Sequence, residues 1–112
     1  MWLLDKNVPE QLIPVLRSFS IILDTAKNRG WGDLRNGELL SAASAAKFNC
    51  ILTRDTLFQE DARKALEKHP HMALILLTIP QMPGKKYAET FLTSWKTGPI
   101  VPAPGQLLFW PK

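Results

Sequence analysis

The chain has 112 residues, one domain's worth, and 46% of them are hydrophobic, which is sufficient for a core of its own. Its single cysteine, Cys50, excludes an internal disulfide, and apolar runs this short exclude a bilayer-spanning helix. The net charge of +4 favours a polyanionic partner such as nucleic acid, although many ordinary proteins carry as much.

In chain order, Trp2, Leu3 and Leu4 form a short apolar run ended by Asp5, so the chain opens on a strand. Asn7 and Glu10 have the spacing of a capping box, and Leu12, Ile13, Val15, Leu16 and Phe19 give the helix that follows an apolar face. Pro14 requires that helix to start late or to kink. Residues 20–23 read as a second strand and residues 24–33 as a loop rich in turn formers. Asn36 reads as an N-cap, which places Glu38 in the first turn of a helix carrying Leu39, Leu40, Ala42, Ala43 and Ala46.

Residues 50–53 make a third strand, closed by Arg54 and Asp55. Cys50 lies inside that pattern and reads as a small buried hydrophobe, not as a nucleophile or redox group. Thr56 and Gln59 repeat the capping-box spacing and predict a helix through about Glu67. Residues 72–78 are the most apolar run and predict a central strand buried on both faces. After the break at Pro80, Pro83 and Gly84, the spacing of Tyr87, Phe91 and Trp95 predicts a last helix. Ile100 with Val101, and residues 107–109, predict short strands, which the surrounding prolines confine to edges.

Strands alternating with helices predict an α/β domain over residues 1–112, with a mainly parallel central sheet of four to five strands flanked by helices. Open sheets of this kind bind ligands beyond the carboxyl ends of their strands. Asp5 and Asp55 end two strands at that edge, and Glu38 opens a helix entered from it. Clustered carboxylates repel one another unless a cation lies among them, so the three acids together predict a magnesium or manganese site. Lys6, Arg35 and Arg54 flank the acids directly, and Lys27 and Arg29 precede Glu38. Metal on a reacting phosphate with cations on its neighbours suits a phosphodiester backbone.

Three segments carry a family resemblance. Residues 3–9, Leu-Leu-Asp-Lys-Asn-Val-Pro, resemble the "LLDENLP" opening of bacterial PIN-like domains of the toxin and antitoxin type. Residues 30–40 resemble that family's "GW-x-x-L-K/R-N-G-E-L-L" stretch, and residues 51–59 resemble its "hydrophobic-hydrophobic-T-x-D-x-x-x-Q". Together they cover the first half of the chain in the family's order. The resemblance implies a compact α/β fold and a magnesium- or manganese-dependent ribonuclease, with Asp5, Glu38 and Asp55 as metal-binding, catalytic acids. It also implies Asn36 and Gln59 as polar neighbours of the site, and Asn7 and Arg54 are further candidate neighbours. Lys6, Arg29, Trp31 and Arg35 are the candidate RNA contacts. Where many relatives carry a further Asp two residues after the third acid this chain has Leu57, and where the family has Glu after the first Asp it has Lys6. Glu60 and Asp61 are the candidates to replace the missing acid, and a single metal is expected.

Each acid also has a plainer role. Asp5 fits a strand-end turn, Glu38 a first-turn acid favoured by the helix dipole, and Asp55 or Thr56 an N-cap. His69-Pro70-His71 reads as a surface turn, and Ser41 and Ser44 have no base at a recognisable spacing. Trp31 suits base stacking or packing equally, while Trp2, Trp95 and Trp110 read as core or interface. Lys85 and Lys86 at a helix start oppose the dipole and read as a solvated end or a phosphate contact. Two functions result: a metal-dependent ribonuclease, the toxin of a toxin and antitoxin pair, or a degenerate PIN-like domain that binds RNA or protein without cutting. The partners expected are RNA, a small antitoxin protein and a second copy through the Trp-rich terminal region. The start of the chain has no signal-peptide layout, so the expected location is the cytoplasm, with no membrane partner.

Overall fold

The computed structural model describes the backbone of residues 1–112 and every side chain except that of Glu60, a candidate fourth acid that therefore lies outside the described residues. Five strands alternate with four helices: β1 (Trp2–Leu4), α1 (Leu12–Ser18), β2 (Leu23–Thr25), α2 (Asn36–Ala45), β3 (Cys50–Thr53), α3 (Phe58–Lys68), β4 (Ala73–Leu77), α4 (Gly84–Thr97) and β5 (Leu107–Trp110). The strands form one all-parallel sheet in the order β2-β1-β3-β4-β5. β1 and β3 are neighbours, in a register that pairs Leu4 with Leu52. Asp5 and Asp55 therefore leave adjacent strands at the same edge.

Because side chains alternate along a strand, the sheet feeds two cores. Trp2, Leu4, Cys50, Leu52, Ala73, Ile75 and Leu77 face one layer with α1 and α4. Leu3, Ile51, Leu74 and Leu76 face the other, filled by Leu39, Leu40 and Ala43 of α2 and by Phe58, Ala62 and Leu66 of α3. With α1 against α4 on one side and α2 against α3 on the other, the sheet is covered on both faces, as parallel strands require. No helix of the described residues is long and apolar enough to cross a membrane.

Five boundaries differ from the sequence reading, each for a local reason. α3 starts at Phe58 after Leu57, without the Thr56–Gln59 capping box, and the Leu57 amide bonds to Asp55 Oδ1 instead. α1 starts after Gln11, without the Asn7–Glu10 capping box; Pro14 falls in the first turn, where a missing N–H removes no helical bond. The second strand is not 20–23 but Leu23–Thr25, because Ser20 takes a left-handed conformation (φ 61°) as the chain leaves α1, and Ile22 is left exposed. Asn36 is the first residue of α2, and its N-cap is Arg35. Ile100 and Val101 form no strand, while the internal strand β4 lies one place from the sheet's centre, which β3 occupies.

Of the two readings of the tryptophans, core or interface, the structure takes the core for Trp2 and Trp110 and leaves Trp95 half-buried. Trp2 and Trp110 are buried, and with Phe19, Phe91 and Trp95 they form one aromatic cluster whose successive ring centroids lie 4.6 to 6.2 Å apart. Trp110 satisfies its indole N–H on the Gly98 carbonyl at 2.9 Å.

Candidate functional site

The carboxyl ends of β1 and β3 are tied together by one buried hydroxyl. Thr53, the last residue of β3, is fully buried and donates from Oγ1 to Asp5 Oδ2 at 2.7 Å. The same oxygen accepts the Asp55 amide at 3.1 Å. Asp5 Oδ1 accepts the Lys6 amide at 2.8 Å, and the Asp5 amide continues the sheet onto the Leu52 carbonyl. Thr53 thus couples the two acids through strand ends fixed by the sheet.

A second tie runs between the loops. Asn7 Oδ1 accepts the Arg54 amide at 3.0 Å, which explains why Asn7 is not a helix cap. The Arg54 guanidinium reaches the Asn7 carbonyl and lies 5.2 Å from the centre of the Tyr87 ring. It is thereby held against α4 and does not line the acidic cleft. Tyr87 is itself fully buried, and its hydroxyl has no hydrogen-bond partner among the described residues. Burial pushes the Tyr87 phenol above its ordinary range, with the Arg54 charge opposing. Removing an orphaned hydroxyl relieves a desolvation cost, so Tyr87→Phe should unfold in urea within about 1 kcal/mol of the wild type, or be the more stable. A loss of twice that would mean that the hydroxyl is bonded after all.

Asp5 and Asp55 line one open cleft of about 340 Å³ together with Lys6, Asn7, Arg35 and Asn36. Asp61, a candidate for the missing acid, lines it as well, and so does Asp33, which the sequence pattern did not mark. Asp33 comes from the turn before α2 and Asp61 from the first turn of α3, one helical turn after Leu57. Leu57, at the position of the family's further acid, is exposed. Glu38 is placed differently from Asp5 and Asp55. Its Oε1 accepts the Arg35 amide at 3.2 Å, capping α2, and its side chain lines a neighbouring groove. Gln59 is exposed and lines neither cavity.

Asp55 has a cap-like role too, since its Oδ1 accepts the Leu57 amide at 2.9 Å, but Oδ2 has no hydrogen-bond donor among the described residues. Carboxylate oxygens with spare lone pairs are the donors that magnesium and manganese take. Among the described residues, however, no group of three or more His, Cys, Asp or Glu is close enough to hold a metal ion by itself. The donor set fits a hydrated magnesium held directly by one or two carboxylates, and does not fit a fully protein-ligated ion.

Arg29 and Trp31, candidate RNA contacts, are engaged elsewhere. Arg29 pairs with Asp24 at 2.5 Å and stacks over Phe48 and Trp31, and Trp31 packs edge-on against Phe48. Burial raises the Asp24 carboxyl, but the Arg29 and Asn28 side chains and the Thr25 amide outweigh it and hold Asp24 below the usual carboxylate value. A depressed folded-state value gives stability that is present above the unfolded-state value of about 3.9 and is lost as pH falls through the folded one. The stability difference between wild type and Asp24→Asn should therefore be full at neutral pH and vanish in acid. A difference that holds constant through the acid range would assign the effect to packing.

The His69-Pro70-His71 turn also has partners that spacing did not show. His69 Nε2 meets Ser41 Oγ at 3.1 Å and His71 Nε2 meets Ser44 Oγ at 3.0 Å, fastening α2 to the turn after α3. Both pairs are exposed, and neither histidine has a carboxylate partner among the described residues, so no catalytic triad is formed. Comparison of the chain with family models, curated proteins and solved structures gives no match.

Proposed function

We propose that the chain is a metal-dependent ribonuclease of the PIN-like type, with its site in the cleft beyond β1 and β3. The observation that carries this reading is the placement of Asp5 and Asp55 on one cleft at the carboxyl edge of a parallel sheet, linked by the buried Thr53 hydroxyl. The three sequence segments resembling PIN-like domains support it, because they supply both acids and the threonine.

Asp5 and Asp55 would hold the magnesium or manganese ion, with Asp33 and Asp61 adding negative charge to the same cleft. Such an ion, when bound, supplies Lewis-acid stabilisation of charge on a phosphate. The chain's own residues do the positioning. Lys6 and Arg35 at the rim attract the flanking phosphates, Asn36 offers an amide to the sugar-phosphate backbone, and Asn7 fixes the loop that presents Asp55. Glu38 keeps the α2 entrance in place through the Arg35 amide and acts on the cleft through that geometry. The toxin version of the reading adds a small antitoxin protein covering the acids, a homodimer and a cytoplasmic location.

Binding of RNA or protein without cutting is the second reading. The lack of a group of three metal-binding side chains among the described residues favours it. Cleavage of a pool of labelled RNAs in Mn²⁺ or Mg²⁺, with EDTA and the Asp5→Asn, Asp55→Asn variant as controls, separates the two.

A further inference from the structure

The acidic cleft does not end at Arg35 and Asp61. Both residues also line a second, larger groove of about 590 Å³ between α2 and α3. All helices in this sheet start at the carboxyl edge and return to the amino edge, so α2 and α3 run side by side and the groove leads away from the acids. Charge changes sign along it. Asp61 lies at the shared end and Glu38 spends its carboxylate on the α2 start, whereas farther along α3 come Lys64, Lys68 and His69, facing Ser41. Lys64 and Lys68 are one helical turn apart, about 6 Å along the axis, and both are exposed. Neither they nor Arg35 form an ion pair among the described residues.

We infer that the α2–α3 groove is the track for the backbone of a single-stranded RNA, with Arg35 at the junction and Lys64 and Lys68 on successive phosphates beyond it. This rests on the ribonuclease reading for the identity of the ligand. The sign change gives the strand a direction relative to the site. A phosphate beside the acids needs a cation to be tolerated, while phosphates one and two turns of α3 away meet fixed positive charge. The groove's open shape and the charged and hydroxyl side chains along it suit a backbone better than a buried small molecule.

The test is fluorescence anisotropy with a labelled single-stranded oligoribonucleotide, on the intact protein in EDTA so that no cutting occurs. Lys64→Glu with Lys68→Glu is compared with Lys96→Glu and Lys112→Glu, which make the same charge change at the end of α4 and after β5, away from both the groove and the acidic cleft. Losing two phosphate contacts should weaken binding about tenfold or more and flatten the slope of log affinity against log salt by about 1.4, with the Lys96, Lys112 variant unchanged. Equal losses in both variants, or in neither, would overturn the track, as would tighter binding of poly-glutamate than of RNA. Circular dichroism confirms folding, since all four lysines are solvent-exposed. Cleavage by the wild type together with undiminished binding by the Lys64, Lys68 variant would sink the track and leave the ribonuclease standing. Track-dependent binding with no cleavage would do the reverse.

Discussion

In the presence of Mn²⁺, the Asp5→Asn, Asp55→Asn variant should cut RNA about a hundredfold or more slower than the wild type. Stabilising phosphate charge with a metal contributes several kcal/mol, and each 1.36 kcal/mol is about tenfold in rate. The two positions are not equivalent. Asp5 accepts from both Thr53 and Lys6, so an asparagine there disturbs the sheet edge, whereas the Asp55 Oδ2 atom has no donor among the described residues to lose. Asp55→Asn alone is therefore the cleaner variant, expected to abolish tight Mn²⁺ binding with little change in thermal stability. Cleavage surviving in the double variant, or in EDTA, would remove the ribonuclease reading. A wild-type protein that binds RNA and never cuts it would establish the second.

The strands that carry the acids were readable because three or four apolar residues ended by a polar one have few other uses in an α/β chain. Trp2–Leu4 and Cys50–Thr53 are of this kind, but their adjacency was not legible, because β2 intervenes in the chain and only the strand order places β3 beside β1. β2 was misplaced because its sequence signal, Ser20-Ile21-Ile22-Leu23, begins on the left-handed turn at Ser20; the strand starts only at Leu23 and runs on through Asp24 and Thr25, residues that propensity assigns to a loop. Glu38 shows what local pattern cannot decide. A first-turn acid points into a cleft or back onto its own helix cap according to which residue is the cap, and Arg35 took that place from Asn36. Asp61 was one of two candidates for the missing acid, but which way it faces, and that Asp33 joins it, came only from the three-dimensional meeting of a loop and a helix. The Ser41–His69 and Ser44–His71 pairs join residues 28 and 27 positions apart, which no spacing rule covers.

Thr53→Val should cost about 2 kcal/mol and lower the melting temperature by roughly 10 °C. Valine matches the shape of threonine, so the core around the end of β3 stays filled. What is lost is a charge-assisted bond to Asp5 and the acceptor of the Asp55 amide, at a residue with no exposed surface where water cannot replace either. Asp5 is only half-buried and recovers part of its loss from solvent, which keeps the figure near the low end for bonds to charged groups. Thr53→Ser keeps the hydroxyl and loses one methyl, about 0.8 kcal/mol of burial. The informative quantity is the contrast between the two. If the hydroxyl positions the acids, the serine variant keeps Mn²⁺ affinity and cleavage while the valine variant loses both, beyond what its lower stability explains at a temperature where each is folded. If serine and valine behave alike, packing at the end of β3 is what Thr53 supplies, and the two acids are held by their own strands alone.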